Sequence, residues 1–287
     1  PVRQFSKLLV SATHPPLREY GVFLKLPRAL AAMRTAKIRK KSQSARVSDL
    51  FSKFAPSQNT KTMKAAKYWI VPGLFFLVAS LLNLAGRLVG NPVLASAVKP
   101  LLMPLLAITA LCAAGGPGKK EIRLLVLALI LGCIGDVFLI YDGFLLFVAG
   151  MVAFLAGHIC YMCLFGGKSW KGFTAKTWIP AIIAMAALVA VLILVIGVNG
   201  AMLAPMCIYG FALMMLIFSG LAGVVRFRTK TWWIIFCGTV LFTFSDALIA
   251  IGTFGGDFAG REFVVMLTYI SAQSLLALGA VKLSKEA

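Results

Sequence analysis

The sequence predicts an all-α, polytopic membrane protein with eight transmembrane helices. Three observations carry that reading. The chain is 60% hydrophobic and only 13% charged over 287 residues, whereas a soluble domain is nearer half apolar and a quarter charged. Its mean hydropathy is +0.92. Its apolar residues gather in eight stretches, each near the ~20 residues that a helix needs to cross ~30 Å of hydrocarbon. The net charge of +20 would suggest nucleic acid in a soluble protein. Here it is split between an N-terminal segment and short loops, so nucleic acid is not an expected partner.

The first span, 68–88, follows Lys61, Lys64 and Lys67, holds Pro72 and Asn83, and closes at Arg87. The second, 92–114, carries Lys99, Pro100 and Pro104 and precedes Lys119, Lys120 and Arg123. Membrane helices tolerate such prolines because neighbours satisfy the freed backbone groups. The third, 122–140, contains Asp136. The fourth, 143–165, contains His158 and is followed by Lys168, Lys171 and Lys176. The fifth is 177–197. The sixth, 201–224, holds Pro205 and Tyr209 and leads to Arg226, Arg228 and Lys230. The seventh, 231–252, contains Asp246. The eighth, 262–281, carries Tyr269 and Gln273, with Arg261 before it and Lys282 and Lys285 after it. Basic loops thus alternate with loops that offer only Arg87 and Arg261. Cytoplasmic loops carry an excess of Lys and Arg, so both termini and all the basic loops are expected in the cytoplasm.

Two regions follow: a basic extension, 1–65, and an eight-helix membrane domain, 66–287. Residues 1–67 hold 15 Lys/Arg against Glu19 and Asp49, a net +13. The segment reads as a tail touching anionic lipid, as a transit-like leader, or as sequence upstream of a working start at Met63. Its composition suits disorder without a catalytic role. The six cysteines fall in or beside apolar spans. Cys160 and Cys163 have CxxC spacing but no second pair completes a zinc site, so they read as small buried residues.

The chain has nine carboxylates and two histidines. An Asp inside a membrane costs ~2.5–3.5 kcal/mol on insertion scales and is functional by default. At ~1.5 Å per residue, Asp136, Asp246, Asn83, Lys99, Tyr209 and Tyr269 fall in one slab below the outer surface, with His158 deeper. "IGDVFLI" at 134–140 and "FSDALIA" at 244–250 are alike, and their Asp residues lie 110 positions apart. The same offset carries Lys99 to Tyr209. Spans one to four and five to eight are therefore candidate parallel halves of a duplication, with Asp136 and Asp246 facing each other. Asp142, in "YDG", reads as a turn former. Lys99 either snorkels to the surface, pairs with a carboxylate or receives an anionic group. His158 reads as a structural hydrogen-bond partner or a site residue. Asn83, Tyr209, Tyr269 and Gln273 read as helix–helix glue or as ligand contacts.

"GDVFL" at 135–139, "GMVAFLAGHICYM" at 150–162, "KPLLMPLL" at 99–106 and "FSDALIAI" at 244–251 resemble the YhhN family of eight-span membrane proteins. That family includes lysoplasmalogenases, and the resemblance covers about residues 66–281. It implies a membrane enzyme of the plasma membrane in a bacterium or of the endoplasmic reticulum in a eukaryote. Its substrate would be a lysophospholipid, the lysoplasmalogen, cleaved to a fatty aldehyde and glycerophosphoethanolamine or glycerophosphocholine without a cofactor.

The residues suit that chemistry independently. A vinyl ether is cleaved by protonating its β-carbon, which leaves an oxocarbenium-like cation for water to attack. Glycosidases meet the same demand with two carboxylates. Two carboxyls in a poorly solvated site do not both ionise easily, so one keeps a proton while its partner stays anionic. Asp136 and Asp246 are the candidate catalytic pair. Lys99 is a candidate for the headgroup phosphate, and Asn83, His158, Tyr209, Tyr269 and Gln273 for lining the site. No G-x-S-x-G nucleophile motif is present. A metal held by Asp136, Asp246 and His158 is thin ligation and the minor alternative. The competing class is a proton-coupled transporter built on the Asp pair and the duplicated halves. A third reading, an inactive lipid-binding scaffold, fits poorly with two buried carboxylates.

Overall fold

A computed structural model describes residues 68–141, 143–256 and 258–286. The expectations for residues 1–65 and for Asp142 lie outside these. The described residues are all-α, with no strand among them. The helices are α1 (Ile70–Leu88), α2 (Pro92–Ala114), α3 (Lys120–Phe138), α4 (Phe144–Ser169), α5 (Ala175–Ile196), α6 (Leu203–Phe227), α7 (Lys230–Ala250) and α8 (Arg261–Glu286). A 3₁₀ turn, Gly200–Met202, leads into α6, and a π-helical turn, Ile251–Gly255, continues α7. Each expected span meets one helix. Seven of these segments are long and apolar enough to cross a membrane. The other, α3, opens with Lys120, Glu121 and Arg123 and carries Asp136 near its end, and these charges dilute an otherwise apolar run. The protein is a polytopic integral membrane protein.

Chain neighbours pack side by side from α1 to α4 and from α5 to α8. The contacts that join the halves include α4 against α6, and α8 against α2. If α1–α4 is matched to α5–α8, these are the same contact made twice, as a duplicated arrangement requires. The match is incomplete, because α8 also packs on α1 and α3 and is the most enclosed of the spans. The fifth helix is the least enclosed. Leu194 and Val195 at its end are 80% and 79% exposed. Apolar surface on that scale belongs against lipid rather than water.

The basic loops converge at one end of the bundle. Lys168 pairs with Glu121 at 2.9 Å, Arg226 donates to the Lys171 carbonyl, and Lys119 donates to the Ser284 carbonyl. Thr231 Oγ1 donates to Glu286 at 2.7 Å. At the opposite end Arg87, closing α1, pairs with Glu262, opening α8. The alternation read along the chain is thus an alternation of ends in space.

Candidate functional site

The polar centre is built on α3 and α7, and glycines admit its partners. A Cβ at Gly135 would lie 2.7 Å from the Phe154 ring, and one at Gly132 would lie 3.2 Å from the Tyr269 hydroxyl. Small residues of this kind let membrane helices approach closely. Here they bring α4 and α8 onto the face of α3 that carries Asp136.

Asp136 is 2% exposed. Its Oδ1 lies 3.2 Å from Lys99 Nζ on α2, and its Oδ2 accepts a hydrogen bond from Tyr269 on α8 at 2.9 Å. Lys99 therefore pairs with the buried carboxylate. Asp246 is 8% exposed. Its Oδ2 accepts from the Tyr209 hydroxyl on α6 at 2.5 Å. His158 Nε2, on α4, stands 3.6 Å from the same oxygen. That is beyond hydrogen-bond length, and neither ring nitrogen of this buried histidine finds a hydrogen-bond partner among the described residues.

The two arrangements repeat with exchanged chemistry. Each Asp takes one partner from the second helix of its own half, Lys99 or Tyr209, which are 110 positions apart. Each takes a second neighbour from the fourth helix of the other half, Tyr269 or His158, 111 apart. A cation in the first cluster is replaced by a phenol in the second. The carboxylates have separate partners rather than a shared one. Among the described residues no three His, Cys, Asp or Glu side chains converge as metal ligands would.

Aromatic rings connect the clusters. Phe242 packs edge-on against His158 at 4.8 Å and against Tyr269 at 5.6 Å. The His158 ring meets Tyr209 at 5.3 Å. Tyr161 donates to Gln273 Oε1 at 2.5 Å and lies 6.4 Å from Phe242. Phe242 and Tyr161 were not legible as site residues, although both stand at helical spacing from one: Phe242 four before Asp246, Tyr161 three after His158. His158, counted as deeper than the other polar groups, belongs to their layer. The seventh helix is prolonged by its π turn to Gly255, which sets Asp246 deeper than an end near 252 implied.

A chamber lies between α4, α5, α6 and α7. Its walls are apolar, with Met151, Phe154, Val189 and Met206 among them, and its polar groups are Tyr209, Thr243 and Asp246. A second hollow adjoins it through Leu139 and Phe147 and is bordered by Tyr141, Met202 and Phe254. These border residues mark the end of the bundle away from the basic loops. Asp136, Lys99 and Tyr269 do not line the chamber; they stand behind it. Asn83 donates to the Ala95 carbonyl at 2.7 Å and so ties α1 to α2, where Gly86 permits a close approach.

The profile of the YhhN family matches residues 94–280. The lysoplasmalogenase TMEM86B of Mus musculus is 31% identical over 215 residues, 75% of this chain and 87% of that protein. Its Homo sapiens counterpart is 30% identical over 177 residues, 60% and 72% of the two chains. That of Rattus norvegicus is 31% identical over 180 residues, 62% and 70%. No solved structure matches the chain. The family match includes both buried carboxylates and their neighbours Lys99, His158, Tyr209 and Tyr269, and the chain belongs to the YhhN family.

Proposed function

We propose that this protein is a membrane-embedded lipid hydrolase that cleaves the vinyl ether bond of lysoplasmalogens. One observation carries the reading: a buried carboxyl, Asp246, held by Tyr209, forms the polar spot in an otherwise apolar chamber. A fatty alkenyl chain needs such walls, and its ether needs an acid at one point along them. The relatives named lysoplasmalogenase support the substrate class.

In the proposed mechanism the alkenyl chain lies in the chamber with the ether at Asp246. Asp246 transfers its proton to the β-carbon of the double bond, and the adjacent carbon becomes an oxocarbenium. The carboxylate left on Asp246 stabilises that cation electrostatically. Water adds to the cationic carbon and returns its proton to Asp246. The hemiacetal then breaks its bond to the glycerol oxygen and releases the aldehyde, while the oxygen takes up the hydroxyl proton. Asp246 is assigned as the acid because it faces the chamber and, among the described residues, has no lysine or arginine paired with it. Asp136, paired with Lys99, is the second carboxyl behind it, and Tyr269 and Gln273 hold that cluster in place. His158 flanks the acid. The headgroup is left toward the adjoining hollow, which opens at the bundle end.

The test is aldehyde release from a lysoplasmenyl phospholipid by the full chain in detergent, with Asp246→Asn and Asp136→Asn as variants. Aldehyde from the wild type, lost in folded Asp246→Asn, is the expected result. No aldehyde from a folded wild type overturns the reading.

A further inference from the structure

A groove lies at the other end of the bundle and is separate from the Asp246 chamber. It runs between α2, α8 and the residue that precedes α1, bordered by Trp69, Leu106, Ala110, Leu278, Lys282 and Lys285. Two hydroxyl side chains in its wall are already satisfied within their own helices: Thr109 donates to Leu105 and Ser274 to Ile270, each at 2.7 Å. The wall is therefore apolar in effect. At its end stand two lysines three residues apart on α8, a spacing that puts them on one face. Both are exposed. Trp69, 44% exposed, also lines the groove, and indole rings favour the level of the lipid headgroups.

We infer that this groove is a binding site for an anionic bilayer phospholipid, its acyl chain along α2 and α8 and its phosphate between Lys282 and Lys285. The occupant follows from charge and shape together. An apolar slot open toward lipid fits an acyl chain, and two adjacent cations at headgroup level fit an anion in place of a zwitterion. The inference is independent of the catalytic proposal, since none of these residues borders the chamber.

Native mass spectrometry of the full chain in detergent, titrated with phosphatidylglycerol or with phosphatidylcholine of the same acyl chains, tests it. Juxtamembrane lysines contribute roughly fivefold each in affinity for anionic lipid, so a preference of about 30-fold for phosphatidylglycerol is expected. Lys282→Gln with Lys285→Gln should bring the two lipids to parity, and Arg at both positions should restore the preference. Leu278→Trp should weaken both lipids by filling the slot. Equal binding by the wild type overturns the inference, as does a preference that survives the Gln pair. Displacement of the lipid by millimolar inorganic phosphate would also overturn it, by showing an anion site without a lipid slot.

Discussion

At Asp246 the structure concentrates the requirements of the proposed reaction in one side chain. Asp246→Asn removes the transferable proton and should lower aldehyde release by about 10²–10⁴-fold, the usual worth of a positioned acid. Tyr209→Phe keeps the ring and removes the one hydroxyl bonded to that carboxyl. A hydrogen bond to a charged group is worth about 1.5–3 kcal/mol, so the variant should fall by roughly 10- to 100-fold with its melting temperature little changed. Aldehyde assays in proteoliposomes read both. The Asp136 cluster makes a different prediction. Lys99→Met leaves a carboxylate buried without its cation, which costs about 3–5 kcal/mol. Adding Asp136→Leu should recover most of that, because a buried pair replaced by apolar groups is often neutral or stabilising. Thermal unfolding of the two variants in detergent decides the point, and equal loss in both would show that Lys99 serves something other than Asp136.

Among the helices the small residues do the positioning. A Cβ at Gly135 would press 2.7 Å from the Phe154 ring, a buried ring that itself packs edge-on to Tyr269 at 6.1 Å. Gly135→Ala should therefore cost about 1–3 kcal/mol by overpacking and should lower activity by displacing Tyr269 from Asp136. Phe154→Leu in the same chain should relieve both losses, as melting curves and turnover would show. The sequence exposes this layer of structure unevenly. Asp136, Asp246 and Lys99 were legible because a charge in hydrocarbon carries a penalty that demands a reason. Phe242 and Tyr161 were not, because an aromatic residue among leucines carries no such penalty and its placement depends on which helix faces which. The helix ends were read least well at the C-termini of α4 and α8, which run past their apolar stretches to Ser169 and Glu286, and the π turn after α7 is a feature that no composition signal marks. The chamber was invisible for a related reason: a void is a property of four helices at once, and apart from Asp246 the residues lining it are ordinary in their own helices.

For the molecule as a whole, the gathering of basic loops at one end fixes which end the chamber does not open toward. The hollow next to it is bordered by Tyr141, Met202 and Phe254, from the connections opposite the Lys168–Glu121 and Arg226–Lys171 contacts. If the Lys/Arg excess holds the basic end in the cytoplasm, lysolipid reaches Asp246 from the other leaflet, and the anionic lipid groove faces the inner one. Single cysteines at Tyr141, 63% exposed, and at Arg228, in a chain whose six native cysteines are replaced, separate the two orientations. A membrane-impermeant maleimide added to intact cells or sealed right-side-out vesicles should label position 141 and reach position 228 only after permeabilisation. The reverse pattern would put the chamber mouth in the cytoplasm. Substrate would then come from the leaflet where phospholipids are remodelled, and the charge asymmetry would lose to whatever inserts the first helix.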